Sequence, residues 1–143
     1  MIRERLIGSW RPQRWEWSSG GDVLFATENL QGILIYAPDG MMAVQVAATR
    51  GKPAQFLRSR GHGVWLTMKR WFFTAPGIQW GYSGRYEVDE AQACVRHFIE
   101  VRSLAVPRQP VLERKLKLNG DQLQLEFEDR HSRDCVTWRR VNA

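Results

Sequence analysis

Apolar and polar residues alternate along most of the chain, which is the pattern of strands with one buried face. In 111–118 the even-numbered row holds three leucines and Arg114, and the odd-numbered row is mostly charged. In 122–128 leucine and phenylalanine alternate with glutamine and glutamate. The intervening Asn119-Gly120-Asp121 predicts a tight turn, because Asn and Gly tolerate positive φ. The two segments therefore form a predicted hairpin with an inner leucine face.

Arg114 is the one charge in that apolar row. A two-residue loop at Asn119-Gly120 predicts that Arg114 lies opposite Leu125. A buried guanidinium needs a counter-charge, but Glu113 and Glu126 belong to the outward rows. Either Arg114 pairs with an acid on the buried face of the sheet or it is free to bind an anionic ligand.

Segment 78–88 places its large aromatic side chains in one row, which is predicted to face inward. These residues are Trp80, Tyr82 and Tyr86.

His97 lies in the apolar row of the next predicted strand, 94–104. The other members of that row are Val95, Ile99 and Val101. If Val88 pairs with Val95, Tyr86 lies directly across from His97. His97 is then either a buried histidine satisfied by a tyrosine hydroxyl or backbone carbonyl, or a general acid or base with Tyr86 beside it.

The first half of the chain predicts strands at about 8–17, 22–27, 32–37 and 41–48. Between 53 and 75 the alternation fails, and apolar residues at helical spacing in 64–72 predict a helix. If the strands form a barrel, this segment is either a lid over its open end, hinged at Gly61-His62-Gly63, or an ordinary crossover packed on the sheet.

The two ends of the chain predict closure of the sheet. Trp10 lies at the start of the first strand, and Arg139 and Arg140 lie at the end of the last. If these strands meet, the fold is an all-β antiparallel barrel of about eight or nine strands, and an arginine stacked on Trp10 forms its floor. The 143 residues show no composition break, which predicts a single domain, 1–143.

Net charge and cysteine content narrow the function classes. The net charge of +6 makes nucleic acid a partner to consider, but basic residues mostly alternate with apolar ones and form no block of five. Nucleic-acid binding is therefore less expected than a solvated basic surface. Cys94 and Cys135 form no CxxC or Cys/His cluster of zinc-type spacing, so we expect reduced thiols. His62 and His131 have no ligand partners at short spacing, so no metal is expected, and no cofactor is expected either.

No targeting or membrane segment is predicted. Residues 1–8 lack the apolar run of a signal peptide, and no segment approaches the roughly 20 apolar residues of a membrane helix. We therefore expect a cytoplasmic protein without a membrane partner.

Four segments carry a family resemblance. They are Leu6–Trp10, Gly32–Met42, Tyr82–Asp89, and Leu123 with Trp138–Arg140. Together they resemble the small bacterial and fungal lipocalin-like domain family over nearly the whole chain, and least in 53–75. The resemblance implies an antiparallel barrel with a cavity. Some similar proteins act as cyclases or isomerases in natural-product pathways, and others only bind.

Three functions follow as expectations. The first is binding of a small apolar or amphipathic, acidic molecule inside the barrel. The second is a cofactor-independent cyclase or isomerase, with His97 or Tyr86 moving a proton in the same cavity. The third, less expected, is single-stranded nucleic-acid binding. The oligomeric state stays open. The expected ligand-binding residues are Trp80, Tyr82, Tyr86, His97 and Arg114.

Overall fold

The computed structural model describes residues 1–48, 55–56, 79–103, 106, 108–128, 130 and 132–142. Its elements are α1 (Ile2–Leu6), β1 (Gly8–Ser19), β2 (Asp22–Thr27), β3 (Leu30–Tyr36), β4 (Met41–Ala48), β5 (Gln55–Phe56), β6 (Gln79–Asp89), β7 (Cys94–Arg102), β8 (Val111–Asn119), β9 (Gln122–Glu128) and β10 (Arg133–Arg140). The helix predicted at 64–72 lies outside the described residues. Within them, no helix has the length and apolar character of a membrane span.

Eight of these strands form a closed antiparallel barrel. The order β10-β9-β8-β7-β6-β4-β3-β1 is continuous, and β1 pairs back onto β10 from Trp10 to Ser18. β2 pairs with the second half of β1, and β5 pairs with β2. The predicted meeting of the first and last strands is confirmed, and so is the all-β barrel.

A bulge in β1 lets tryptophans at even and odd positions face the same interior. The register with β10 shifts between Pro12 and Arg14, which reverses the alternation of side chains. Trp10 is buried before the bulge, and Trp15 and Trp17 are buried after it. The first strand therefore places aromatic rings inside the barrel on both sides of the bulge.

A second bulge, in β7, overturns part of a predicted inner row. The register with β6 shifts between Ser83 and Gly84, and beyond this point the faces of β7 exchange. Val101, predicted to face inward, is 67% exposed. Arg102 instead pairs with Tyr82 and shares its inner face.

The β8–β9 hairpin differs from its predicted register. Its loop is Gly120-Asp121 rather than Asn119-Gly120, because Asn119 is still paired in the ladder. The first loop residue has a φ of 57°, as a type II′ turn requires of its glycine. Arg114 consequently contacts Phe127 rather than Leu125, with its guanidinium carbon 4.8 Å from the ring centre.

The helix α1 and Arg140 close one end of the barrel. The Arg140 guanidinium carbon lies 4.2 Å from the centre of the Trp10 ring. Its Nη1 donates to the carbonyl of Ile7 at 2.9 Å, and its Nη2 donates to the carbonyl of Arg5. The Trp10 indole donates to the carbonyl of Leu6 at 2.9 Å. The arginine thus joins the last strand to the helix and to the first strand.

Arg139 does not take part in this floor. Trp138 faces inward and is buried, so strand alternation turns Arg139 outward into solvent and Arg140 inward. The sequence offered both arginines as floor residues, and the alternation of β10 leaves only Arg140.

We expect Arg140→Met to lower the free energy of unfolding by about 2 kcal/mol, because it removes a cation–π contact and two hydrogen bonds from a charged donor. The matched control, Arg139→Met, should change it by less than about 0.5 kcal/mol, since that side chain is on the exposed outer face. Urea unfolding of both variants measures the difference. Equal losses in the two variants would contradict the assignment of the floor to Arg140.

Candidate functional site

Four polar side chains from four different strands lie on the inner face of the barrel. β3 contributes Tyr36, β6 contributes Tyr82, β7 contributes His97 and β8 contributes Arg114. Each occupies an inward position of its strand, and the first three are buried. We call these four residues the interior polar cluster.

His97 connects the two tyrosines of the interior polar cluster. Its side chain is 1% exposed. The ring Nε2 lies 2.7 Å from the Tyr36 hydroxyl, and Nδ1 lies 2.7 Å from the Tyr82 hydroxyl. Both ring nitrogens are therefore hydrogen-bonded, as a buried imidazole requires.

Tyr86 lies beside the cluster but its hydroxyl does not join it. It pairs with His97 across β6 and β7, in the register predicted from the sequence. Its hydroxyl donates to the carbonyl of Ala37 at 2.8 Å, and its ring packs edge-on against Tyr36 with centroids 4.8 Å apart. Tyr86 thus positions Tyr36 rather than presenting a hydroxyl group to His97.

Burial keeps the cluster uncharged except for its arginine. Loss of hydration, with a smaller repulsion from Arg114, lowers the pKa of His97 to about 3. Burial also raises the pKa of Tyr36 well above its usual value and raises that of Tyr82, although Arg114 opposes the shift. At neutral pH the imidazole and both phenols are therefore neutral.

Arg114 is half-buried and its neighbours inside the barrel are neutral. Its guanidinium lies near the Tyr82 hydroxyl, where its charge opposes the rise in the pKa of that group, and it lies over the Phe127 ring. Glu113 and Glu126 form ion pairs with basic residues of the outer face. Among the described residues, no carboxylate lies within ion-pair distance of Arg114.

An aromatic wall extends from the cluster away from the floor. The ring of Trp80 lies 5.4 Å from that of Tyr82 and 5.7 Å from that of Trp15. The Trp15 indole donates to Asp134 at 3.1 Å, which holds the ring in place. Because β1 runs from Trp10 at the floor to Trp15, these rings lie toward the opposite end.

The alternation of apolar and polar residues in the sequence predicted most of this site but missed Tyr36. Trp80, Tyr82, His97 and Arg114 were all predicted to face inward, and they do. Tyr36 shares the inward row of β3 with Leu34, and this alternation was the available signal. Its contact with His97 spans 61 residues, so local pattern could not reveal it.

The amino-acid sequence matches the lipocalin-like domain family over residues 7–141, a span that contains the barrel from β1 to β10. The chain belongs to this family. No curated protein matches it. The lipocalin-like barrel is a fold suited to binding small molecules in its interior. In the part of the chain that the structure describes, no group of His, Cys, Asp and Glu side chains is arranged to hold a metal ion.

The buried state of His97 predicts a pH dependence of stability. The unfolded chain protonates its histidine near pH 6.5, whereas folded His97 stays neutral down to about pH 3. The unfolded state therefore binds more protons in this window, and the free energy of unfolding falls as pH falls, by about 1.4 kcal/mol per pH unit. The contribution of neutral, buried His97 to the free energy of unfolding is fully present above pH 6.5.

His97→Gln should remove this pH dependence of the free energy of unfolding. Between pH 6.5 and pH 4.5, we expect the variant to lose about 2 to 3 kcal/mol less stability than the native chain, because glutamine does not titrate. Tyr86→Phe is the control, since it removes a neighbouring hydroxyl and leaves the imidazole buried. Urea unfolding at several pH values tests this, and parallel profiles for native protein and His97→Gln would contradict it.

Proposed function

We propose that this lipocalin-like protein binds a small amphipathic molecule with an acidic group, and that the acidic group pairs with Arg114 inside the barrel. The observation that carries the proposal is the half-buried guanidinium, which has a phenol and an aromatic ring as its inner neighbours. Partial burial of a cation is costly without a counter-charge. A carboxylate or phenolate of the ligand would supply that charge.

The apolar part of the ligand would lie against the aromatic wall. Trp15 and Trp80 contact each other above the cluster, and Phe127 flanks the arginine. Large flat side chains of this kind provide most of the contact area in small-molecule sites, while a few polar groups orient the ligand. The combination supports an amphipathic ligand over a purely apolar one.

The cyclase or isomerase alternative needs a group that gains and loses a proton near neutral pH. A histidine with a pKa of about 3 holds a proton poorly, and general acid–base catalysis is most effective when the pKa lies near the working pH. The Tyr86 hydroxyl is already donated to a backbone carbonyl. These two observations favour binding over turnover by His97 or Tyr86.

A nucleic-acid role is also less well supported by the placement of the aromatic residues. Single-stranded binders stack bases on exposed rings. Trp10, Trp15, Trp17 and Trp138 are buried on the inner face of the barrel.

We also propose a cytoplasmic location, which suits the two free thiols, Cys94 and Cys135.

Native mass spectrometry of freshly purified protein tests whether a ligand is retained. We expect an adduct of small mass that solvent extraction releases and that carries a negative charge in solution. A retained neutral hydrocarbon would contradict the acidic part of the proposal.

The role of Arg114 can be measured with a matched probe pair, anthracene-2-carboxylate and its neutral carboxamide, by quenching of tryptophan fluorescence. Arg114→Gln should weaken carboxylate binding by about 10-fold or more, because a hydrogen bond to a charged group is worth about 1.5 to 3 kcal/mol. Binding of the carboxamide should hardly change.

Lys115→Gln is the control for that measurement. It removes the same charge from the adjacent residue, whose side chain is 71% exposed on the outer face. If both variants weaken carboxylate binding equally, the effect is one of net charge and the proposal fails. It also fails if Arg114→Gln leaves the affinity for the carboxylate unchanged.

A further inference from the structure

Two arginines lie directly opposite each other on the outer face, at the seam where β1 and β10 close the barrel. Arg11 pairs with Arg139 in the ladder, and both side chains are exposed. Directly opposed side chains of an antiparallel pair have Cβ atoms about 5 Å apart, so two like charges in these positions repel each other. Closure of the barrel therefore places two positive charges side by side.

The arginine pair has no acidic partner in the part of the chain that the structure describes. Neither Arg11 nor Arg139 forms an ion pair, and Asp121, in the loop before β9, is not paired with them. The other basic residues on the outer faces of the described strands each pair with an acid; they are Arg14, Arg85, Arg96, Lys115, Lys117 and Arg133. The seam thus offers positive charge to an anionic partner.

Exposed aliphatic side chains flank the arginine pair. Ile33 and Ile35 on β3 are 40% and 37% exposed, and Val141, just after β10, is 38% exposed. The register of β1 with β3 places Ile33 beside Arg11, and the amide of Val141 donates to a carbonyl of β1. We call Arg11, Arg139, Ile33, Ile35 and Val141 the seam patch. It combines unpaired positive charge with apolar surface.

The seam patch is convex, which limits the partners that it fits. Its strands β10, β1 and β3 are neighbours in a closed eight-stranded barrel, so the outer surface turns by about 45° from strand to strand. Two rigid convex surfaces touch over a small area, whereas a stable protein interface needs about 800 Å² from each partner. A second copy packed on the same patch would also bring four arginines together.

A fluid anionic bilayer matches both the shape and the chemistry of the seam patch. Lipid headgroups rearrange around a convex surface, and guanidinium groups bind phosphate through paired hydrogen bonds. Aliphatic side chains beside cations enter the boundary between headgroups and acyl chains. The net charge of +6 attracts the whole protein to an anionic surface before contact is made.

We infer that the seam patch binds the surface of an anionic lipid bilayer, with Arg11 and Arg139 on lipid phosphates and the three aliphatic side chains at the boundary with the acyl chains. The inference goes beyond the proposed function and requires no ligand in the barrel. The patch lies at the level of Trp10 in the floor, so contact with a bilayer leaves the aromatic wall at the opposite end unobstructed.

The sequence alone led us to expect no membrane partner, because no segment is long and apolar enough to span a bilayer. Binding at the surface needs no such segment. The seam patch is assembled from three strands, and β1 and β10 come from opposite ends of the chain. No single stretch of sequence contains it, so a search along the chain does not find it.

Sedimentation with sucrose-loaded vesicles tests the inference. One set of vesicles is phosphatidylcholine alone, and the other contains equal parts of phosphatidylcholine and phosphatidylglycerol. We expect the native protein to bind the anionic vesicles at low salt and hardly to bind the neutral ones. Binding should weaken as the salt concentration rises, because salt screens the charges. Equal binding to both sets, or to neither, would overturn the inference.

The arginine pair is tested by combining Arg11→Gln with Arg139→Gln. Binding to anionic vesicles should weaken by about 25-fold, since each cation at an anionic surface contributes about 5-fold. The matched control combines Lys115→Gln with Lys117→Gln, which removes the same charge from the outer face of β8, two strands beyond β10. We expect the control to lose less than about 3-fold, because those lysines are held away from the bilayer. Equal losses would show that binding follows net charge alone, against the inference.

The aliphatic contact is tested by combining Ile33→Thr with Ile35→Thr. Threonine keeps the branched shape that suits a strand and removes apolar surface, so binding should weaken by about 10-fold. A urea unfolding transition close to the native one shows that the variant is folded. Unchanged vesicle binding would mean that the protein is only adsorbed by charge, and the inference would fail.

Two further measurements separate the seam patch from other modes of association. Vesicle binding that is lost in Arg114→Gln and kept in the arginine-pair variant would place the lipid inside the barrel and overturn the inference. Analytical ultracentrifugation without vesicles should show a monomer. A dimer that the isoleucine variant dissociates would assign the patch to a second copy instead.

Discussion

Pairing between β1 and β10 turns a curved sheet into a closed barrel, and it separates the interior from water. Arg140 strengthens this closure, because it joins the end of the last strand to Trp10 and to the carbonyls of Arg5 and Ile7 at the end of α1. The properties of the interior follow from that separation. Burial inside the barrel lowers the pKa of His97 to about 3 and keeps its tyrosine partners protonated. The half-buried charge of Arg114 is significant because these neighbouring groups carry no charge.

The distribution of charge explains why a basic chain has a nearly neutral interior polar cluster. Most outer-face basic residues pair with glutamates of neighbouring strands. The Arg96–Glu113 and Lys115–Glu128 pairs lie at exposed positions, where such pairs contribute little to stability. Inside, Arg114 lies among a phenol, an imidazole and an aromatic ring that carry no charge. The imidazole is most useful here as a fixed donor and acceptor that orients two hydroxyl groups. A barrel arranged in this way is better suited to holding an acid than to moving protons through His97.

Local alternation predicted the inner rows well where the strands are regular. The leucine face of β8 and the aromatic row of β6 follow directly from the sequence, and the pairing of Tyr86 with His97 followed from an assumed hairpin register that is confirmed. The prediction failed at Val101, beyond the bulge in β7, and at the register of Arg114, where the loop begins one residue later than predicted. A bulge depends on how the neighbouring strand twists and closes, so the alternation of one strand does not reveal it.

The sequence by itself determined the kind of fold and the side chains available inside it, because a period of two and the positions of turn residues are local properties. It placed His97 and Arg114 in apolar rows, where a titratable or charged side chain is unusual. Only the tertiary structure decided their partners. Tyr36 reaches His97 from a strand 61 residues away, and Arg140 rather than Arg139 reaches Trp10. Those contacts depend on strand order, shear and closure of the barrel, which are properties of all the strands together.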